Sequence, residues 1–189
     1  AAHGAPVRQH AVIVTMRIAS VKGRAVADLL KAGQSSVPGW TLRREYRSTH
    51  RGELTDTEKL TGGQFTGRVA PGTEPVPISI EENLARDLQV AVGDEIVFDV
   101  QGVPVKTRVG SLRAVDWRRM QPNFFIVFPE GVLESAPKFH VMALRVAGPD
   151  QSAQIQQAVV RDHPNVSAID LAIIMQTIDS VYSKASFVV

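Results

Sequence analysis

Between Ala11 and Ala19 apolar and polar residues alternate and place Val12, Val14, Met16 and Ile18 on one face, the period of a half-buried strand. Lys22-Gly23 supplies a turn. Ala25 to Leu30 then reads as the return strand of a hairpin, with a short helix as the alternative. A polar stretch from Gln34 to Gly39 leads into a basic segment, Trp40 to Arg51. Gly62, Gly63, Gly67, Pro71, Gly72, Pro75 and Pro77 mark a loop-rich crossing. Beyond it Ser79 is the expected N-cap with Glu82 three residues on, and Ile80, Leu84 and Leu88 at helical spacing predict one short helix. Val92-Gly93-Asp94 predicts a turn, and Ile96–Val100, Gln101-Gly102 and Val103–Val109 predict a hairpin. Pro122 and Pro129 bracket an apolar run, Asn123 to Phe128, expected as a buried strand. A strand over Phe139–Val146, a helix over Ser152–Asp162, a short strand over Val166–Ile169 and a long helix over Leu171–Val188 complete the reading.

These elements make the expected fold class α+β. The two chain ends are expected to form an α+β layer of βαβ type, with a mainly β subdomain inserted between them. The period changes near Lys138, which places the parts at residues 1–40, 41–137 (with one short helix) and 138–189. In the last part Leu171, Ile174, Ile178, Val181, Ala185 and Val188 recur at alternating three- and four-residue spacing, the stripe of a coiled-coil seam or of a helix on its own sheet.

Composition narrows the function classes more than it names one. The chain has 189 residues, 44% of them hydrophobic, room for one domain with a real core or two small subdomains. A net charge of +2 is too small to imply a nucleic-acid partner. Cysteine is absent, which removes disulfides, thiolate nucleophiles and thiolate metal sites together. No run approaches the ~20 apolar residues of a membrane span. Ala1 to Pro6 has neither the basic nor the apolar region of a signal peptide, so export is expected to depend on a flanking transmembrane helix. The five histidines, His3, His10, His50, His140 and His163, have no metal-ligand spacing, and no nucleophile elbow or phosphate-binding glycine loop is present. No catalytic residue, cofactor or metal site is therefore assigned.

The most specific motif is the run S-x-R-x-V-D-W followed by P-N-F-F, present as Ser111, Arg113, Val115, Asp116 and Trp117, then Pro122, Asn123, Phe124 and Phe125. It resembles a signature of the extracytoplasmic domain of MacB/FtsX/LolC-type ABC transporter permeases, most closely the YbbP-like permeases. Weaker matches are Ser79, Glu81, Leu84, Ala85 and Leu88 with Gly93-Asp94, and Arg17, Ile18, Ala19 with Gly23, where Lys22 stands in place of the usual Asn. The likeness spans residues 12 to 146; the segment after Val146 fits only by the order of its elements. It implies a porter-like layer in the periplasmic domain of a bacterial inner-membrane protein, with no enzymatic activity of its own. It also implies ATPase activity in a separate cytoplasmic subunit and mechanotransmission across the membrane. Extrusion of a lipid or lipoprotein substrate, or action with a periplasmic esterase, is part of the same implication, and the terminal stripe would lead as a stalk into the next membrane helix. The alternative is a free-standing periplasmic binding or adaptor protein.

Two arginine groups carry candidate binding chemistry. Arg113, Arg118 and Arg119 lie near Asp116 and Trp117, which reads either as an anion site or as local ion pairs, with Trp117 covering the edge of the β module and burying a large apolar area. Arg43, Arg44, Arg47 and Arg51 would share one face if helical, and are candidate contacts for an anion or lipid headgroup, or else a solvated surface.

Overall fold

In the computed structural model, residues 5–31, 37–119 and 121–171 are described. The expected terminal helix beyond Leu171, with the rest of its stripe, lies outside them. By contacts the chain divides into a larger unit, Gln9–Met142, and a smaller one made of Ala1–Arg8 and Ala143–Val189.

The larger unit is built on a strand longer than the alternation predicts. β1 (Val7–Val21) buries Val14, Met16 and Ile18 and leaves Arg17 and Ala19 exposed. Lys22-Gly23 turns with both residues at positive φ, 51° and 72°. The return strand β2 (Arg24–Ala25) is only two residues long and gives way to helix α1 (Val26–Lys31). The helical alternative therefore holds for most of Ala25–Leu30, and Leu29 is its buried residue. α2 (Gly39–Arg43) and β3 (Tyr46–His50) come next, then β4 (Glu58–Gly63).

Ser79 is not the N-cap. It lies in β5 (Val76–Glu81), buried with Ile78 and Ile80. Glu81 caps α3 (Glu82–Leu88) instead, its carboxylate accepting from the Leu84 N–H at 2.8 Å. A carboxylate at that point satisfies an orphan amide and complements the helix dipole. The expected hairpin is present: β6 (Glu95–Val100) and β7 (Val103–Val115), joined through Gln101 and Gly102 at φ 53° and 95°. β8 (Ile126–Phe128) is half the expected strand, because Asn123 to Phe125 leave the ladder, and β9 (Phe139–Leu144) pairs with β1.

Six of the strands close on themselves. β1 pairs with β3, β3 with β8, β8 with β5, β5 with β7, β7 with β6, and β6 returns to β1. The β3/β8 and β5/β7 pairs are parallel and the other four antiparallel. Closure leaves these strands no open edge. Val14, Met16, Ile78, Ile80, Ile96, Phe98, Ile126 and Phe128 belong to one core, joined by Leu84 and Leu88 of α3. Phe98 and Phe128 meet edge to face, centroids 5.7 Å apart. β7 outruns the closed sheet, and its far end carries β4.

The sequence division at residue 40 does not match this arrangement. β1 lies in the same sheet as β3 and β6, so this strand folds with the segment expected to be separate.

In the smaller unit α4 (Pro149–Asp162) begins with proline at its first turn, where a missing N–H costs nothing. Arg145 N–H donates to Pro6 O at 3.3 Å, joining the two chain ends. Ser152 Oγ donates to Asp170 Oδ2 at 2.5 Å. Residues 166–169 form no strand.

Candidate functional site

β7 alternates, and its inward positions are Thr107, Val109, Ser111 and Arg113. The fourth is a fully buried arginine. Its Nη2 donates to the Phe124 carbonyl at 2.8 Å, and its Nη1 stands 3.5 Å from Glu58 Oε1. The Glu58 side chain is itself buried, held by two hydrogen bonds from Arg51 and one from the Thr55 N–H at 3.1 Å. Glu81 lies opposite Arg113 in the β5/β7 pairing. Two guanidinium groups and two carboxylates thus share one interior region, which is how buried charge is tolerated. Burial pushes the Arg113 pKa down to about 10, with Arg51 acting in the same sense and Glu58 and Glu81 opposing it. Arg113 is therefore still a cation at neutral pH.

The network holds the loop between β7 and β8. Asp116 N–H donates to Thr57 O at 2.8 Å, Thr57 Oγ1 donates to Asn123 Oδ1 at 2.9 Å, and Asn123 Nδ2 reaches back to Asp116 O at 3.4 Å. Glu81 N–H donates to Phe125 O at 2.8 Å. Arg113, Asp116, Asn123, Phe124 and Phe125 are brought together here, with Pro122 at the half-buried start of the return, while Ser111 pairs with Ser79 and Gly63 in the sheet. The Ser111 hydroxyl is buried without a hydrogen-bond partner, so its own contribution is packing.

Trp117 is not core. It is 44% exposed and leans on Phe125, ring centroids 4.6 Å apart. The turn after β7 carries it outward. Arg118 and Arg119 do not join Arg113 around an anion: Arg118 pairs with Asp116 at 3.1 Å and Arg119 with Asp56 at 2.6 Å. Hydrogen bonds from Arg118 hold the Asp116 carboxyl below the usual range.

The other arginines do not lie on one helical face, because α2 ends at Arg43. Arg43 is exposed at the helix end, Arg47 is exposed on β3, and Arg51 is committed to Glu58. Arg44 sits over three aromatic rings, 4.8 Å from the Phe125 centroid, 5.1 Å from Tyr46 and 5.7 Å from Trp40. Trp40, Arg44, Phe125 and Trp117 form a continuous ladder, and Tyr46 lies buried beneath Arg44. The Tyr46 hydroxyl donates to Thr41 O at 2.7 Å. Burial raises its pKa, and Asp87 adds to the shift against the opposing charge of Arg44.

Among the histidines, His10 and His140 stack across β1 and β9 with ring nitrogens 2.9 Å apart. His50 lies 3.5 Å from Glu134. Among the described residues no group of three or more His, Asp or Glu is placed to hold a metal.

Sequence reasoning missed Glu58 and Trp40, and it named Glu81 only as a motif match, without its role as cap and neighbour of Arg113. Arg113 carried its signal through the motif alone, because the predicted strand stopped at Val109 and β7 runs on to Val115.

Over 138 residues the chain is 30% identical to the ABC transporter permease YbbP of Escherichia coli strain K12, a match covering 72% of this chain and 16% of that protein. Over that stretch the chain is similar to one part of a YbbP-type ABC transporter permease. It spans about a sixth of the YbbP relative, so it corresponds to one part of a much larger protein. A solved permease domain from Porphyromonas gingivalis aligns over 87% of the YbbP-like chain and 67% of its own, at 10% identity and a TM-score of 0.39, values at which the likeness decides nothing. No protein-family model matches the chain. Among the described residues no helix is long and apolar enough to cross a membrane.

Proposed function

We propose that this YbbP-like chain is the extracytoplasmic domain of its permease, a non-catalytic module that couples ATP hydrolysis by a separate cytoplasmic subunit to extrusion or partner action outside the inner membrane. The 138-residue match to YbbP carries the reading. Two features of the fold support it. A closed barrel whose loop is bound by a buried ionic network is a stiff body, and stiffness suits a part that passes on displacement. The smaller unit is formed by both chain ends, in keeping with a porter-like layer fed by segments that enter and leave the membrane. Lipid or lipoprotein substrates and a periplasmic esterase belong to the same reading. Of the four arginines offered to anionic groups, Arg43 and Arg47 have no ion-pair partner among the described residues, which leaves them available to a headgroup.

The test uses the absence of cysteine from the chain. In an otherwise cysteine-free full-length permease, Glu53→Cys places one thiol at an exposed position. A membrane-impermeant maleimide should label it in intact spheroplasts. Labelling only after lysis would put the domain in the cytoplasm and defeat the proposal. Coupling is read separately, as a change in ATP turnover when Glu53 is replaced by a cysteine cross-linked to a bulky adduct.

A further inference from the structure

We infer that the Trp40–Arg44–Phe125–Trp117 ladder is a docking surface for an anionic lipid bilayer. The chain contains two tryptophans, and both lie on this one ladder, 55% and 44% exposed. Isolated exposed apolar residues need no explanation. Two indoles joined through a cation and a phenyl ring do, because aromatic faces already in contact form a patch and not scattered points. The middle of the ladder is fixed from below: Arg44 is seated on Tyr46 and Phe125, and Phe125 O is held by Glu81 N–H. The indoles are therefore presented on a stiff base, with little ordering left to be lost on binding.

The chemistry of the ladder selects its occupant. Tryptophan is enriched where bilayer and water meet, its ring at headgroup depth and its N–H in water. Cations flank both ends. Arg43 and Arg44 follow Trp40 by three and four residues, at the end and the C-cap of α2, while Lys59 and Arg118 line the shallow groove beside Trp117. Arg43 and Lys59 have no ion-pair partner among the described residues, and the carboxylate in the groove, Asp116, is already bound by Arg118. An indole–guanidinium surface of this kind complements lipid phosphates that carry net negative charge. The inference rests on the permease assignment for the presence of a bilayer within reach, but its test does not require transport.

Because both tryptophans are in the ladder, intrinsic fluorescence reports on it alone. The chain is titrated with vesicles of phosphatidylglycerol and phosphatidylcholine in equal parts, and with vesicles of phosphatidylcholine alone. The expected result is a blue-shifted emission and sedimentation with the anionic vesicles only. Brominated acyl chains near the headgroup should quench that emission. Arg43→Gln with Arg118→Gln should weaken binding about 25-fold, taking about fivefold for each cation near the surface. Both residues are exposed, so circular dichroism should be unchanged. Trp40→Phe and Trp117→Phe should each retain the vesicle response of the other indole. No shift with anionic vesicles, equal binding to uncharged ones, or a double variant that binds as wild type would each overturn the inference and return the ladder to a protein partner. None of these outcomes would touch the topology of the permease.

Discussion

Arg113→Met separates a buried charge that organises the loop from one that is merely accommodated. Methionine keeps much of the aliphatic volume and removes the guanidinium. The Phe124 carbonyl loses its 2.8 Å donor, and Glu58 loses the cation 3.5 Å away but keeps Arg51. Breaking a buried pair from one side costs about 3–5 kcal/mol. With Arg51 still in place the lower end applies, ~3 kcal/mol, and at about 2–4 °C per kcal/mol the melting temperature should fall by about 6–12 °C. Glu58→Gln should be worse, near ~5 kcal/mol, because it removes the one carboxylate that faces both Arg51 and Arg113. The double variant should fall short of the sum by about 1–3 kcal/mol, since each change removes the same contact. Urea unfolding monitored by circular dichroism measures all three. An Arg113→Met melting temperature within about 2 °C of wild type, well under the expected fall, would refute the reasoning, as would strict additivity.

Three further outcomes are expected. Tyr46 has a raised pKa, so stability is fully present below the ordinary phenol value of 10.0 and falls as pH rises above it, where the unfolded chain releases a proton that the folded chain retains. Tyr46→Phe should flatten that alkaline decline while costing ~1–2 kcal/mol at neutral pH through the orphaned Thr41 carbonyl, both read from melts across pH. Gly67→Ala puts a Cβ 2.0 Å from the Gly52 carbonyl oxygen and should destabilise by ~1–3 kcal/mol, whereas Gly148→Ala, with open space around it, should stay within about 0.5 kcal/mol. Asp94 is held below its ordinary 3.8 by hydrogen bonds from Lys22 and the Ala91 amide; its contribution is present above that value and lost as pH falls through the lower folded one, so Asp94→Asn should melt below wild type at neutral pH and match it in strong acid.

Much of the fold was legible because it is local. The Lys22-Gly23 and Gln101-Gly102 turns announce their hairpins through residues that accept positive φ, and β1 announces its buried face by period alone. Ile80 was misassigned for a physical reason. Its spacing to Leu84 and Leu88 is helical, yet a strand running straight into a helix buries all three on one core, and Glu81 rather than Ser79 marks the junction. Trp117 was misplaced because apolar area favours burial, while the ion pairs on both sides of it hold the turn at the surface. Closure of the barrel was not legible at all. Nothing near β1 in the chain says that β6 will return to it. Of the candidate site, Asn123, Phe124 and Phe125 converge near Arg113, but the charged partners Glu58 and Arg51 come from segments whose sequence shows only ordinary charge.

The position of β1 also sets a timetable for synthesis. Only the two-residue β2 follows it at once; its longer partners β3, β6 and β9 leave the ribosome in that order, and the last of them ends at Leu144. At ~5–20 residues per second the wait from Val21 to Leu144 is roughly 6–25 s. Until β6 emerges, Met16 and Ile18 have no Phe98 to meet, and the nascent sheet has raw edges of the kind that pair with neighbours. The ring is topologically sealed only when β8 lies between β3 and β5, so a nascent chain shorter than about residue 128 holds an open sheet. Protection of this first strand during translation is a requirement written into the pairing order.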